Sequence, residues 1–291
     1  MSYPFFEAMI APARPQPQIW RIALGTILIG AIYFAGISAF FAVMTFLSPS
    51  QTVLLNTMNG TTPFGMMLLL STFSFMILGT WAALKLHSRS FVSVLGPQEM
   101  FQRHFKRSVG FLFILMVALV FMPPWDILSE LNQQYPVLKW AAFLIPAIAL
   151  TLVQVSAEEL VFRGYLQSQL AARFKSPIIW MLLPSIAFGL LHHDPATNGG
   201  NAWMITLWAV LFGVIAADLT ARSGTLAPAI ALHLLNNLSA LLIVGLPGVL
   251  SGLALFTLPY RADDPELMSY IWLDLVAMGL AWVTARWAIR A

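Results

Sequence analysis

Residues 22–47 read IALGTILIGAIYFAGISAFFAVMTFL, 26 positions without a single aspartate, glutamate, lysine or arginine. As a helix this run extends about 39 Å at 1.5 Å per residue, more than the roughly 30 Å hydrocarbon core of a bilayer. It is continuously apolar rather than alternating, so it does not read as a strand of a membrane β-barrel. The rest of the chain has the same character: 59% of its 291 residues are hydrophobic and only 9% are charged. The mean hydropathy is +0.80. An ordinary soluble domain is excluded, and the composition points to an all-α, polytopic transmembrane helical bundle in contact with the lipid bilayer. The absence of cysteine removes disulfides and thiol nucleophiles from consideration.

Outward from that first run, the apolar pattern predicts about eight spans. They fall near residues 22–47, 64–86, 108–122, 140–173, 178–193, 203–220, 226–244 and 267–287. Residues 1–18, with Pro4, Pro12, Pro15 and Pro17, are expected to form an interfacial or irregular lead-in, with no cleaved signal peptide. Pro123-Pro124 should stop the third span, and Arg222-Ser223-Gly224 should form a tight turn. The 15 basic residues test this layout. Twelve of them fall at the two termini and in the second, fourth and sixth loops, against Lys139 and Arg261 on the other side, with Arg163 inside a span. The positive-inside rule then makes both termini cytoplasmic. This placement explains the net charge of +3 better than a nucleic-acid partner does. The expected division is a lead-in with three spans over 1–140, a core over 141–245, and a loop with the final span over 246–291.

Three polar clusters interrupt the apolar spans, where ionisable residues cost about 2.5–3.5 kcal/mol each on insertion scales and mark functional sites by default. The first is Glu158-Glu159-Leu160-Val161-Phe162-Arg163. Glu159 and Arg163 are spaced i, i+4 and share a helix face, which leaves Glu158 turned towards something else. The second is Phe188-Gly189-Leu190-Leu191-His192, in which Phe188 and His192 stack and Gly189 lets a neighbouring helix approach. The adjoining His193 reads as an interface residue. The third is His233-Leu234-Leu235-Asn236-Asn237, with His233 and Asn237 on one face. A carboxylate and an imidazole can deprotonate a water, while a second imidazole and an amide can stabilise an oxyanion. Glu158, His192 and His233 could instead be three ligands of a catalytic Zn²⁺ with an open water position. Asp218 and Arg222 read as a structural i, i+4 pair, and Asp274 has no evident partner.

The succession E-E-x-x-x-R, F-x-x-x-H and H-x-x-x-N resembles the CPBP intramembrane proteases. That family includes the CAAX prenyl proteases of the Ras-converting type and bacteriocin-immunity-like bacterial proteins. Arg163-Gly164-Tyr165-Leu166 and Gly224-Thr225-Leu226-Ala227-Pro228 are also similar to the family, and the likeness covers roughly residues 145–245. The resemblance implies Glu158 as the catalytic glutamate and His192 as its partner in activating water. It implies His233 and Asn237 on the oxyanion side, and Glu159 with Arg163 as the supporting ion pair. Its members are labelled metalloproteases by some and assigned a metal-free glutamate mechanism by others. The expected function is therefore an intramembrane endopeptidase, with glutamate-type or metalloprotease chemistry, in a bacterial inner (plasma) membrane. Its partner would be a membrane-associated peptide or protein substrate. The alternatives are a non-proteolytic protein that binds a peptide or partner, and a proton-coupled transporter. The transporter lacks support because the sequence has no repeat symmetry.

Overall fold

A backbone in hydrocarbon must satisfy its own hydrogen bonds, and this chain does so almost wholly with helices. The computed structural model describes residues 3–48, 50–123 and 125–290; Pro124, half of the proline pair expected to stop the third span, lies outside them. Among the described residues, eight main helices stand where the apolar runs lie. They are α1 (Ile19–Leu47), α2 (Pro63–Leu86), α3 (Gln98–Val120), α4 (Leu144–Arg173), α5 (Ile178–Leu190), α6 (Ala202–Ser223), α7 (Ala227–Ile243) and α8 (Ile271–Arg290). Among the described residues, five helical stretches are long and apolar enough to cross a membrane: α1, α2, α4, residues Pro195–Ser223 (which contain α6) and α8. The chain is thus an integral membrane protein. α5 and α7 are apolar but shorter. The 13 residues of α5 reach only about 20 Å, short of a full hydrocarbon core.

Several boundaries differ from the sequence expectation for local reasons. α2 is interrupted between Ser71 and Ser74. There the hydroxyls of Ser71, Thr72 and Ser74 donate to carbonyls three residues back and compete with the helix ladder. α3 begins at Gln98 rather than near 108, so Arg103, Lys106 and Arg107 ride on its first turns instead of in a loop. α5 stops at Leu190, and His192 follows in a turn whose N–H bonds to the Gly189 carbonyl at 2.9 Å. The lead-in is not wholly irregular. It folds as short helical turns, Pro4–Phe6, Glu7–Ile10 and Ala11–Ala13, with Phe6, Met9, Ile10 and Ala13 buried. Phe6 packs against Trp180 with ring centroids 5.3 Å apart, which ties the lead-in to α5.

The loops sort to two ends of the bundle. At one end the Tyr3 hydroxyl donates to Asp218 at 2.9 Å, beside the α6–α7 turn. Trp282 Nε1 of α8 donates to the same carboxylate at 2.9 Å. Arg89 of the α2–α3 loop donates to the Met9 carbonyl and to Ser168 of α4. The α6–α7 turn is closed by Gly224 at φ +66°, where a Cβ would sit 2.3 Å from the Phe5 carbonyl oxygen. At the other end Asn59 and Gly60 of the α1–α2 loop accept from Leu250 and Gly252 of the α7–α8 loop. Asn201, before α6, donates to the carbonyls of Ala262 and Asp264. Three two-residue strands join there too: β1 (Asn132–Gln133), β2 (Val244–Gly245) and β3 (Phe256–Thr257), with β3 central, antiparallel to β1 and parallel to β2.

α4 is the hub. It is α-helical over Leu144–Glu159, π-helical over Leu160–Gln167 and α-helical again over Ser168–Arg173. Every residue from Ala157 to Tyr165 is buried, charged ones included. A π segment of this kind is rare and favours functional positions, because it re-aims side chains within one continuous helix.

Candidate active site

The last two α-helical residues before the π segment, Glu158 and Glu159, carry the site. Glu159 is fully buried, and its Oε1 accepts from Arg163 Nη1 at 2.8 Å, as the i, i+4 spacing predicts. The same oxygen meets His233 Nδ1 of α7, also at 2.8 Å. A carboxylate oxygen only accepts, so Nδ1 carries the proton in this contact. Glu159 therefore serves two partners, and sequence spacing reveals only the first. His233 turns its other nitrogen, Nε2, towards Glu158 Oε2 at 3.5 Å. That Oε2 is buried and without a hydrogen-bond partner, as are Glu159 Oε2 and Arg163 Nη2.

The other oxygen of Glu158 is filled. Gln154 Nε2 donates to Glu158 Oε1 at 2.8 Å, and Asn237 Nδ2 donates to Gln154 Oε1 at 2.9 Å. Asn237, expected to face an oxyanion, is thus bound to Gln154. Gln154 itself is absent from the sequence-derived set. The signal was present: it sits four residues before Glu158, on the same helix face, in an otherwise apolar stretch. Tyr33 of α1 also comes within electrostatic reach of Glu158.

Phe188 of α5 joins the parts. Its ring lies 4.6 Å from that of His192 and 6.0 Å from that of His233, by centroids. The Arg163 guanidinium lies 4.7 Å over the same ring, a cation–π contact. α5 can press this close to α6 because position 189 has no side chain. A Cβ there would fall 2.3 Å from Val210 Cγ2 and 2.8 Å from the Thr206 carbonyl oxygen. His192 Nδ1 bonds to the Phe188 carbonyl oxygen at 2.9 Å, which puts its proton on Nδ1 and leaves an Nε2 lone pair free on an exposed ring. Among the described residues, no hydrogen bond or ion pair joins His192 to Glu158. His193 bonds Thr206 at 3.0 Å and packs, tilted, against Trp203 with ring centroids 4.2 Å apart.

The three-ligand zinc set is not assembled. Among the described residues no three His, Asp or Glu side chains group as a metal-ion site, and both ring nitrogens of His233 face glutamates. Asp218 is a structural acceptor, taking both Arg222 Nε contacts at 2.8 Å as well as Tyr3 and Trp282. Asp274 lines a cavity of about 150 Å³ between α3, α6, α7 and α8, together with Asn236 and Ser239.

Comparison with known proteins agrees with the motifs. Residues 140–239 match a family described as Rce1-like, type II CAAX prenyl endopeptidase. The resemblance read from the three motifs therefore holds over that segment, which contains Gln154, Glu158, Glu159, Arg163, Phe188, His192, His233 and Asn237. A protein of Bacillus subtilis (strain 168), named Uncharacterized protein YyaK, is 27% identical, with the match covering 94% of this chain and 95% of that protein. No solved structure matches.

Proposed function

We propose that this chain is an endopeptidase of the bacterial plasma membrane. It crosses the bilayer eight times with both termini cytoplasmic, and it hydrolyses a peptide bond of a membrane-associated protein or peptide. One observation carries the reading: Glu158 Oε2, a buried carboxylate oxygen without a hydrogen-bond partner, stands 3.5 Å from His233 Nε2. An unpartnered carboxylate oxygen in a dry site calls for a water or a substrate group. The family matched by residues 140–239 supports peptide hydrolysis. The 12:2 bias of basic residues, counted from the sequence, supports the orientation. The bacterial relative supports the membrane chosen.

The chemistry follows from the free groups. A water bound at Glu158 Oε2 gives a proton to that carboxylate, and its oxygen attacks the carbonyl carbon of the substrate peptide. His192, with its free Nε2 lone pair, assists at the same water from the α5 side. His233 is held by Glu159, which in turn is held by Arg163, as a carboxylate orients and stabilises an imidazolium in hydrolytic triads. Protonated, His233 donates Nε2–H to the oxygen on which negative charge develops. The proton taken by Glu158 passes to the leaving amine nitrogen, the C–N bond breaks, and the free carboxylate is restored.

The test is cleavage of a quenched fluorogenic peptide with a membrane anchor by the purified full chain in proteoliposomes. Glu158→Gln and His192→Ala are each expected to abolish turnover while leaving thermal unfolding unchanged. Turnover at the wild-type rate by both folded variants would sink the reading.

A further inference from the structure

Two polar groups that the protein leaves unsatisfied line one cavity, the space of about 150 Å³ between α3, α6, α7 and α8. Asp274 of α8 is exposed at its mouth. Among the described residues its carboxylate has no hydrogen bond or ion pair, and no charged side chain lies within electrostatic reach of it. Trp208 of α6 is the second: its Nε1 is buried and without a hydrogen-bond partner. A buried indole N–H ordinarily finds an acceptor, and an ionisable group on a membrane helix needs a partner. An unpaired acceptor on one wall and an unpaired donor on another call for a single ligand that carries both a cation and an accepting oxygen.

The cavity is polar towards one end and apolar towards the other. Its polar residues lie on the side of the bundle that holds the three short strands. Asp274 is three residues into α8 and Ser239 four from the end of α7, about 5–6 Å inside the helix ends. Trp208 is six residues into α6 and Asn236 seven from the end of α7, about 9–11 Å inside. Deeper still the lining is apolar, from Leu112, Phe212, Leu232, Leu235 and Ala281. From the membrane surface inwards the order is carboxylate, N–H donor, hydrocarbon. An aminophospholipid presents the complement in the same order: ammonium, ester carbonyl, acyl chain.

We propose that this cavity is a binding site for a phosphatidylethanolamine-type lipid. Asp274 accepts from the primary ammonium, Trp208 Nε1 donates to an ester carbonyl oxygen, and the upper part of one acyl chain fills the apolar depth. The phosphate stays at the interface, in water. A net anionic headgroup is disfavoured by the unpaired carboxylate, and a choline headgroup has no N–H to donate. The lipid braces α8, which among the described residues buries only Met278, Ala285 and Ala288 of its own. The site lies behind the candidate active site, since Phe212 also packs against His233 with ring centroids 4.9 Å apart. It takes no part in hydrolysis, and the proposal stands apart from the endopeptidase reading.

The test uses the full chain, delipidated in detergent and titrated with dioleoyl phosphatidylethanolamine or dioleoyl phosphatidylcholine. Native mass spectrometry counts the bound lipid, and thermal unfolding is recorded along each titration. One phosphatidylethanolamine is expected to bind at least about ten-fold more tightly than phosphatidylcholine, the scale of one charge-assisted hydrogen bond. Asp274→Leu should bring the two lipids within about two-fold of each other. Without lipid that variant should melt no lower than wild type, because it removes a carboxylate that has no partner. With phosphatidylethanolamine the wild type should gain melting temperature by mass action, and the variant should not. Trp208→Phe should weaken both lipids by one common factor of about three to ten, because the ester carbonyl belongs to both. Asp274→Asn, with the same expected loss of preference, replaces Asp274→Leu should the latter not fold. Equal binding of the two lipids by the wild type means annular lipid only and overturns the proposal, as does an Asp274 variant that keeps the preference. A Trp208→Phe protein that binds both lipids as the wild type does overturns it too. A lysine-bearing transmembrane peptide that binds through Asp274 where phosphatidylethanolamine does not would give the cavity to a protein partner instead.

Discussion

Replacing Arg163 with methionine removes a guanidinium that is 1% exposed from a carboxylate that is 0% exposed, across a 2.8 Å contact. The side chains are close in volume, so the chief loss is charge. Breaking a buried ion pair by deleting one partner costs about 3–5 kcal/mol, because the other charge is left without compensation. Two details of the structure set the value within that range. Glu159 Oε1 keeps its bond from His233 Nδ1 at 2.8 Å, which relieves part of the cost. The Phe188 ring loses the cation 4.7 Å above it, an interaction worth about 0.5–2 kcal/mol. The expectation is about 3–4 kcal/mol, or roughly 6–16 °C in melting temperature at about 2–4 °C per kcal/mol. Unfolding of the purified protein in detergent, followed by intrinsic tryptophan fluorescence, reads it directly. The double variant E159Q/R163M removes the stranded charge and should recover more than half of the loss. A melting temperature for Arg163→Met within about 1 °C of wild type, or a double variant no more stable than the single one, would refute the reasoning.

Other substitutions test the frame around the site. Gly189→Ala brings a Cβ to 2.8 Å from the Thr206 carbonyl oxygen; overpacking of this kind costs about 1–3 kcal/mol, seen as a lower melting temperature together with a lower kcat as α5 backs away from α6. Phe6→Ala empties a site that is 1% exposed against Trp180. It should cost about 3–5 kcal/mol and speed proteolysis within the first 14 residues; unchanged proteolysis would mean that the lead-in is not anchored there. Gly224→Ala forces a side chain onto a residue at φ +66° whose Cβ would meet the Phe5 carbonyl oxygen. It should destabilise the protein by more than the roughly 1 kcal/mol of a left-handed non-glycine residue alone, as measured by the same melts.

The matched family and the helical fold were legible because their signals are local. Apolar runs set where helices form, and 100° per residue sets which side chains share a face. Glu159 with Arg163, Phe188 with His192, and Asp218 with Arg222 all follow from that arithmetic. Gln154 obeys the same rule, four residues before Glu158, yet an amide stands out less in an apolar helix than a charge does. The burial of the lead-in was hidden by its four prolines. Proline spacing describes how the backbone turns and not what its Phe6 and Met9 side chains meet.

By itself, the sequence determined a helical membrane protein with one charged segment, Glu158–Arg163, that needs partners in a place without water. Only the tertiary structure decided who those partners are. Helix periodicity cannot say that His233 of α7 bonds to Glu159 while facing Glu158, nor that Asn237 meets Gln154. Those contacts depend on how far α7 slides along α4, on the angle at which they cross, and on a π segment that begins one residue after Glu159. Each is a property of two helices packed together, and a pattern along one chain segment does not contain it.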